Sequence, residues 1–260
     1  MYQKTAHTYK RLVYAFYNKP DWENDYITLL HCKMLERYIN VFDEVVFCII
    51  IDDLNDTNAI KKIEKHILTI YNKNITFKIV ENSNYRETYV FYTEIFLKMK
   101  QLDGLTFFAH TKGQSEMESR EEAIAFILGS YFFSLENTDN IDKYPFYGSF
   151  KMLNNSPLSI RGNRYNWFYV GTFFWGNYNK IYDEHKNNFV LFSNRWFNEM
   201  FPGWLYDSGK CGSLGNCCFD VAKGKPNNAF ELALNSYGNL DIFNDYVILY
   251  EELVKEFTEK

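Results

Sequence analysis

What this sequence lacks sets its first limits. No apolar run reaches the roughly 20 residues needed to cross a bilayer. The opening Met1-Tyr2-Gln3-Lys4-Thr5-Ala6-His7 holds no apolar signal core and no small-residue cleavage site, so a soluble cytoplasmic protein is expected. Basic charge is not in excess. The net charge is −5, so any affinity for nucleic acid would have to come from a local basic patch. Cysteine is scarce and odd in number, five in 260 residues, which argues against a secreted disulfide scaffold. Cys32 and Cys48 lie in apolar patterns and read as packing residues. Cys211, Cys217 and Cys218 cluster in a Gly-rich stretch, but their spacing matches no standard zinc pattern and no histidine lies close by. There is no repeat, no low-complexity tract and no linker strong enough to divide the chain. A single domain over 1–260 is expected, and that length can bury a full α/β core. Aromatic residues, by contrast, are abundant at 19%, which suits a well-packed globule with aromatic-lined clefts.

The first half alternates. Arg11 to Tyr17, Glu44 to Ile51, Ile75 to Val80 and Leu105 to Ala109 read as apolar strands. Between them Asp25 to Asn40, Asn58 to Tyr71 and Tyr89 to Leu102 place apolar residues at helical spacing. Such alternation implies a mostly parallel, Rossmann-like sheet with helices on its faces and right-handed crossovers. Ligands of open α/β sheets bind beyond the carboxyl ends of the strands. Three of those ends carry polar residues: Asn18 and Asp21, Asp52 and Asp53, then His110-Thr111-Lys112-Gly113. Lys112 offers a fixed positive charge to an anionic ligand, and His110 a proton carrier or metal ligand.

The second half is richer in aromatics. Glu121 to Phe133 predicts a helix, Pro145 to Phe150 a turn and short strand, and Ser159 to Asn166 a loop. Trp167 to Trp175 predicts one aromatic strand, and Asn179 to Lys186 and Arg195 to Phe201 predict helices. Asp207 to Asn228, rich in Gly, Asn and Lys, predicts a mobile loop, and Asp241 to Glu259 an amphipathic helix.

Several residues carry two readings each. Asp52-Asp53 is either a solvated strand cap or a contact for ribose, a base edge or a metal. Arg86 suits bidentate pairing with a diphosphate and Glu87 suits sugar hydroxyls, although both also fit a helix start. Trp167 and Trp175 present flat faces on which a sugar ring or base could pack, or else they are core. Arg161 and Arg164 could hold a phosphate or an anionic acceptor, or simply face solvent.

In these residues the chain resembles a family. The strand with Val13-Tyr14-Ala15, the Glu44–Asp53 strand, His110-Thr111-Lys112-Gly113 and Gly171-Thr172-Phe173-Phe174-Trp175 fall in one order over residues 11 to about 205. That order is similar to small nucleotide-sugar glycosyltransferases of the GT-A fold bearing a His-Thr-Lys-Gly motif, found in bacterial polysaccharide loci and in viruses. The resemblance implies a GT-A-like fold with a nucleotide-sugar half over about 1–113 and an acceptor half over about 114–260. Tyr14, Asp52, Asp53, Arg86, Glu87, His110, Thr111 and Lys112 would bind the donor, expected to be of the UDP type. Trp167, Trp175, Arg161 and Arg164 would meet the acceptor. His110-Thr111-Lys112 would stand where metal-dependent relatives carry Asp-x-Asp, a motif absent from this strand end. Charge on the leaving diphosphate would then be met by Lys112, or by Mn2+ or Mg2+ held by His110 and Asp53. An inverting transfer also needs a carboxylate base, Glu199 first and Asp183 second.

The function expected is transfer of a sugar to a hydroxyl, most simply that of a glycan. Two alternatives stay open: transfer to hydroxylated bases of phage DNA, and a non-catalytic nucleotide- or carbohydrate-binding module of the same fold.

Overall fold

The structure, a computed structural model, describes residues 8–19, 22–71, 73–83, 85–111, 119–136, 141–160, 163–169, 171–187, 189, 197–219 and 240–258. Of residues 150, 152–160, 163–166, 213–219 and 240–243 only the backbone is described.

The chain opens with β1 (Lys10–Tyr17), α1 (Tyr26–Tyr38), β2 (Glu44–Ile51), α2 (Thr57–Ile70), β3 (Asn74–Glu81), α3 (Glu87–Glu94) and β4 (Leu105–His110). The apolar runs of β1, β2 and β4 become strands because both of their faces are covered, as in parallel sheets, while β3 is a part-exposed edge strand. Leu12, Tyr14 and Phe16 of β1 enter one core, and Val13 and Ala15 enter the other. On β2, Val45, Phe47 and Ile49 alternate in the same way with Val46, Cys48 and Ile50. The helices start where the sequence supplies caps: Asp25 accepts from the Thr28 N–H at 3.1 Å and Asp56 from that of Ala59 at 3.0 Å. The helix expected over Tyr89–Leu102 breaks in two, because Ile95 (φ −115°, ψ −64°) leaves α-helical geometry and Phe96–Gln101 continues as a 3-10 helix.

The second half contributes α4 (Arg120–Leu135), β5 (Phe146–Ile160), β6 (Asn163–Tyr169), β7 (Phe174–Gly176), α5 (Tyr178–His185), α6 (Phe197–Leu205), β8 (Gly212–Phe219) and α7 (Leu240–Thr258). Three expectations change here. Ser159 to Asn166 is not a loop: β5 and β6 run to 160 and from 163 as an antiparallel pair. Trp167 to Trp175 is not one strand. It is interrupted at Gly171 (φ +82°) and Thr172 (φ +61°), whose left-handed backbone cannot continue a pleat. Within Asp207–Asn228, the described part is a 3-10 turn followed by β8, which pairs in parallel with β5. Its Gly and Asn content hid a strand buttressed by its partner, while 220–228 lie outside the described residues.

The strands form one eight-stranded sheet in the order β3-β2-β1-β4-β7-β5-β6, with β8 also on β5. The run β3-β2-β1-β4 is wholly parallel. Tyr17 pairs with Ile50, Ile51 with Glu81 and Ala15 with His110, so the four strands finish at one carboxyl edge. β7 runs antiparallel between β4 and β5. β8 holds one side of β5, so β6 and β7 share the other, and the Gly171–Thr172 break carries the chain from one to the next. Residues of α1, α2, α4 and α7 fill the core on one face, and those of α3, α5 and α6 fill the other. No helix among the described residues is long and apolar enough to cross a membrane.

Candidate active site

At the carboxyl edge the strand ends are tied side to side. The Asn82 amide donates to Asp52 Oδ1 at 2.6 Å, and the Tyr17 hydroxyl donates to Asp52 Oδ2 at 3.2 Å. Partial burial, then the negative charge of Asp52, raises the Tyr17 hydroxyl pKa, which keeps it a donor. The Tyr17 N–H donates to Thr111 Oγ1 at 2.8 Å, and the Thr111 N–H to the Ala15 carbonyl at 3.1 Å. Along this row the side-chain oxygens of Asn18 and Asn82 are buried with no hydrogen-bond donor among the described residues. An unmet buried acceptor costs on the order of 1–3 kcal/mol, so a ligand N–H or O–H at either would be favoured.

The row continues past β4 into the second half. His110 Nε2 lies 2.9 Å from the Gly171 carbonyl. A carbonyl only accepts, so Nε2 is the donor of this contact. The His110 ring stacks on Phe173 at 6.0 Å, and the buried His31 ring stacks on Phe173 at 6.3 Å. Next to Gly171, the Thr172 hydroxyl donates to Glu199 Oε1 at 3.4 Å. Asn198 joins the same knot: its amide nitrogen donates to Thr172 Oγ1 at 3.5 Å, and its oxygen accepts from the Thr88 hydroxyl of α3 at 2.7 Å. Glu199 is only 9% exposed, on the first turn of α6. Among the described residues, two non-glycine residues have positive φ, Arg86 at +43° and Thr172 at +61°. Both stand in this neighbourhood, and backbone strain of this kind collects at functional sites.

The candidate residues distribute as follows. Asp52, Thr111 and His110 stand together on the edge. Arg86 is the residue before α3 and Glu87 its first, with Arg86 close enough to Tyr17 and Asp52 to act on the Tyr17 hydroxyl. Glu199 meets this edge through Thr172. Asp53 turns back on its own loop, accepting from the N–H and side-chain amide of Asn55 at 2.9 and 3.0 Å. Lys112, Gly113, Asp21 and Arg161 lie outside the described residues, and Arg164 is described only as a backbone partner of Ser159.

Four assignments need correction. Tyr14 is fully buried, its hydroxyl 3.1 Å from His31 Nδ1 and 3.0 Å from that of Tyr131, because position 14 points into the core rather than past the strand end. Trp167 and Trp175 are fully buried too. Their indole N–H groups donate to the carbonyls of Tyr206 and Ser134, both at 2.7 Å, so their faces are core. Asp183 is exposed on α5, which follows the end of β7 at Gly176. Gly176 pairs with Thr106 at the start of β4, and Asn179 binds Lys100 and Asp103 just before it. That helix therefore belongs to the opposite end of the sheet from His110.

Tyr17, Asn82, Thr172, Asn198 and Thr88 were not among the candidate site residues read from the sequence. Asn82 follows a strand as Asp52 does, and the same rule would have found it. Thr172 sits in the Gly171–Trp175 motif, but the contacts of Thr172 and Asn198 come from a backbone break and a helix packing that the sequence does not signal. No group of three or more His, Cys, Asp or Glu side chains suited to a metal occurs among the described residues. In the described structure Asp53 Oδ1 accepts from Asn55 and His110 Nε2 lies on the Gly171 carbonyl. The chain matches no protein-family model and no curated protein sequence.

Proposed function

We propose that this chain is a glycosyltransferase of GT-A type that moves a sugar from a nucleotide donor, UDP-linked in the simplest case, to a hydroxyl of a glycan. The observation that carries the reading is Glu199. Its buried carboxyl group is held by Thr172, next to the residue that holds His110, at the carboxyl end of a parallel strand. In an inverting transfer the acceptor O–H gives its proton to a Glu199 oxygen as the acceptor oxygen bonds to the anomeric carbon. The bond from that carbon to the phosphate oxygen breaks, and the nucleoside diphosphate leaves with the electron pair. Asp52, Asn82, Asn18 and Tyr17 offer hydrogen-bonding groups suited to ribose hydroxyls and base edges. Arg86 supplies a charge suited to the diphosphate.

The test is a thermal-shift screen of nucleotide sugars with and without manganese, followed by assay of the stabilising donor for slow hydrolysis to water. Stabilisation by one class of nucleotide sugar, with slow release of its nucleoside diphosphate, is expected. Stabilisation without turnover in the presence of candidate acceptors would favour a binding module instead.

A further inference from the structure

Two tyrosines beside this site have no core role. Tyr85 and Tyr89 bracket the start of α3 and are 44% and 48% exposed, although most large apolar side chains of the chain are covered. Between them lie Arg86, Glu87 and Thr88, and Thr88 is the residue that binds Asn198, the neighbour of Glu199. Tyr92 of the same helix, half-buried, stacks at 5.6 Å on the half-buried Phe96 of the 3-10 helix that follows. The exposed rings therefore begin next to the carboxylate knot and lead away along α3. Exposed aromatic patches on a monomer mark interaction sites, and tyrosine joins an apolar face to a hydroxyl.

The local charge selects among partners. Among the described residues Lys19 is paired with Asp25 at 2.9 Å. Arg86 stands by Tyr17 and Asp52, with Glu87 next to it in sequence, and Thr88 of the same helix binds the neighbour of Glu199. Among the described residues the carboxylates Asp52, Glu87 and Glu199 thus outnumber Arg86 around this helix start, which disfavours a polyanion such as a nucleic acid. A neutral, hydroxyl-rich chain is not disfavoured. Its C–H faces pack on tyrosine rings, and its hydroxyls reach Glu87 and the tyrosine O–H groups.

We infer that Tyr85 and Tyr89 form the acceptor platform, and that the acceptor is a neutral saccharide of several units laid along α3 with its terminal hydroxyl toward Glu199. This rests on the transferase reading for the role of Glu199, but the platform is a binding site in its own right. It also replaces the buried Trp167 and Trp175 as acceptor-facing aromatics.

The experiment is an NMR titration of the full chain and of its Tyr85→Ala/Tyr89→Ala variant with maltohexaose, cellohexaose and chitohexaose. UDP and a thymidine oligonucleotide are titrated in parallel. Both side chains are exposed, so the variant should keep the wild-type melting temperature. At least one hexasaccharide should bind the wild type, and the variant should bind it about tenfold more weakly or worse, each 1.4 kcal/mol of lost contact being a factor of ten. UDP binding should be unchanged. Saccharide binding without binding of any nucleotide sugar in the screen would keep the platform and remove the transferase. Absence of saccharide binding, or equal binding by the variant, overturns the proposal. So does a Tyr85- and Tyr89-dependent response to the oligonucleotide alone, or loss of self-association as the variant's one change.

Discussion

The hydroxyl of Thr172 and the carboxyl of Glu199 meet 3.4 Å apart, joining a strained turn after β6 to the first turn of α6. The carbonyl one residue earlier, on Gly171, fixes His110 at 2.9 Å. One break in a strand thus aligns a histidine from the first half of the chain with a carboxylate from the second.

Thr172→Val keeps the branched shape and removes the hydroxyl. Glu199 Oε1 and the Asn198 amide each lose a contact, so the carboxylate is less well held. Turnover should fall roughly 10- to 100-fold while donor affinity stays within about twofold, since misplacement of a catalytic group costs rate before binding. Steady-state kinetics with calorimetric donor binding measures both. Unchanged turnover would detach Thr172 from the chemistry.

Trp175→Phe separates core from cleft. Burying a smaller ring and leaving the Ser134 carbonyl without its donor should cost about 1–3 kcal/mol of stability. The acceptor KM should not move. Chemical denaturation and kinetics would read these separately, and a raised acceptor KM with unaltered stability would return this ring to the cleft.

Glu94 supplies a pH dependence remote from the site. Burial alone would raise its carboxyl pKa, but hydrogen bonds from Lys78 at 2.6 Å and Lys98 at 2.5 Å outweigh it and hold the pKa below the ordinary 4.5. A carboxylate depressed in the folded state adds stability above its unfolded pKa and loses it as pH falls through the folded value. The lysine side chains are 34% and 39% exposed, so Glu94→Gln should cost only about 1–2 kcal/mol at pH 7. The gap to wild type should be constant above the ordinary value of 4.5 and close as pH falls through the lower folded value, in urea melts across that range. A gap that widened in acid would mean that Glu94 is not stabilised as a carboxylate.

Gly203 marks where α6 crosses β6. A Cβ there would lie 1.9 Å from the Trp167 carbonyl, with no flexible group to yield. Gly203→Ala should therefore displace α6 and cost more than 2 kcal/mol, as overpacking against backbone does. A melting temperature equal to wild type would contradict this close approach.

The parallel half of the sheet was legible because its strands are short, mostly apolar runs separated by helical stripes, the first two of which have an Asp cap. Edge residues such as Asp52, His110 and Thr111 followed from the topology alone. The second half was harder. Its sheet closes through an antiparallel strand of three residues, Phe174–Gly176, too short to carry a periodic signal. Composition misled at Trp167 and Trp175, since an aromatic fit for a sugar face is equally fit for a core. Tyr14 misled because strand alternation, which sends it inward, was not applied three residues from the strand end. Glu199 was proposed from the chemical need for a base, and its contact with Thr172 depends on a positive φ at that threonine, which no sequence rule supplies.

The most direct measurement of the central claim is Glu199→Gln, assayed for transfer and donor binding on the same preparation. If Glu199 is the base, transfer should fall by a factor on the order of 100 to 10,000. The donor dissociation constant and the melting temperature should stay close to wild type, since glutamine still accepts from the Thr172 hydroxyl. Transfer at the wild-type rate by a folded Glu199→Gln protein would contradict it.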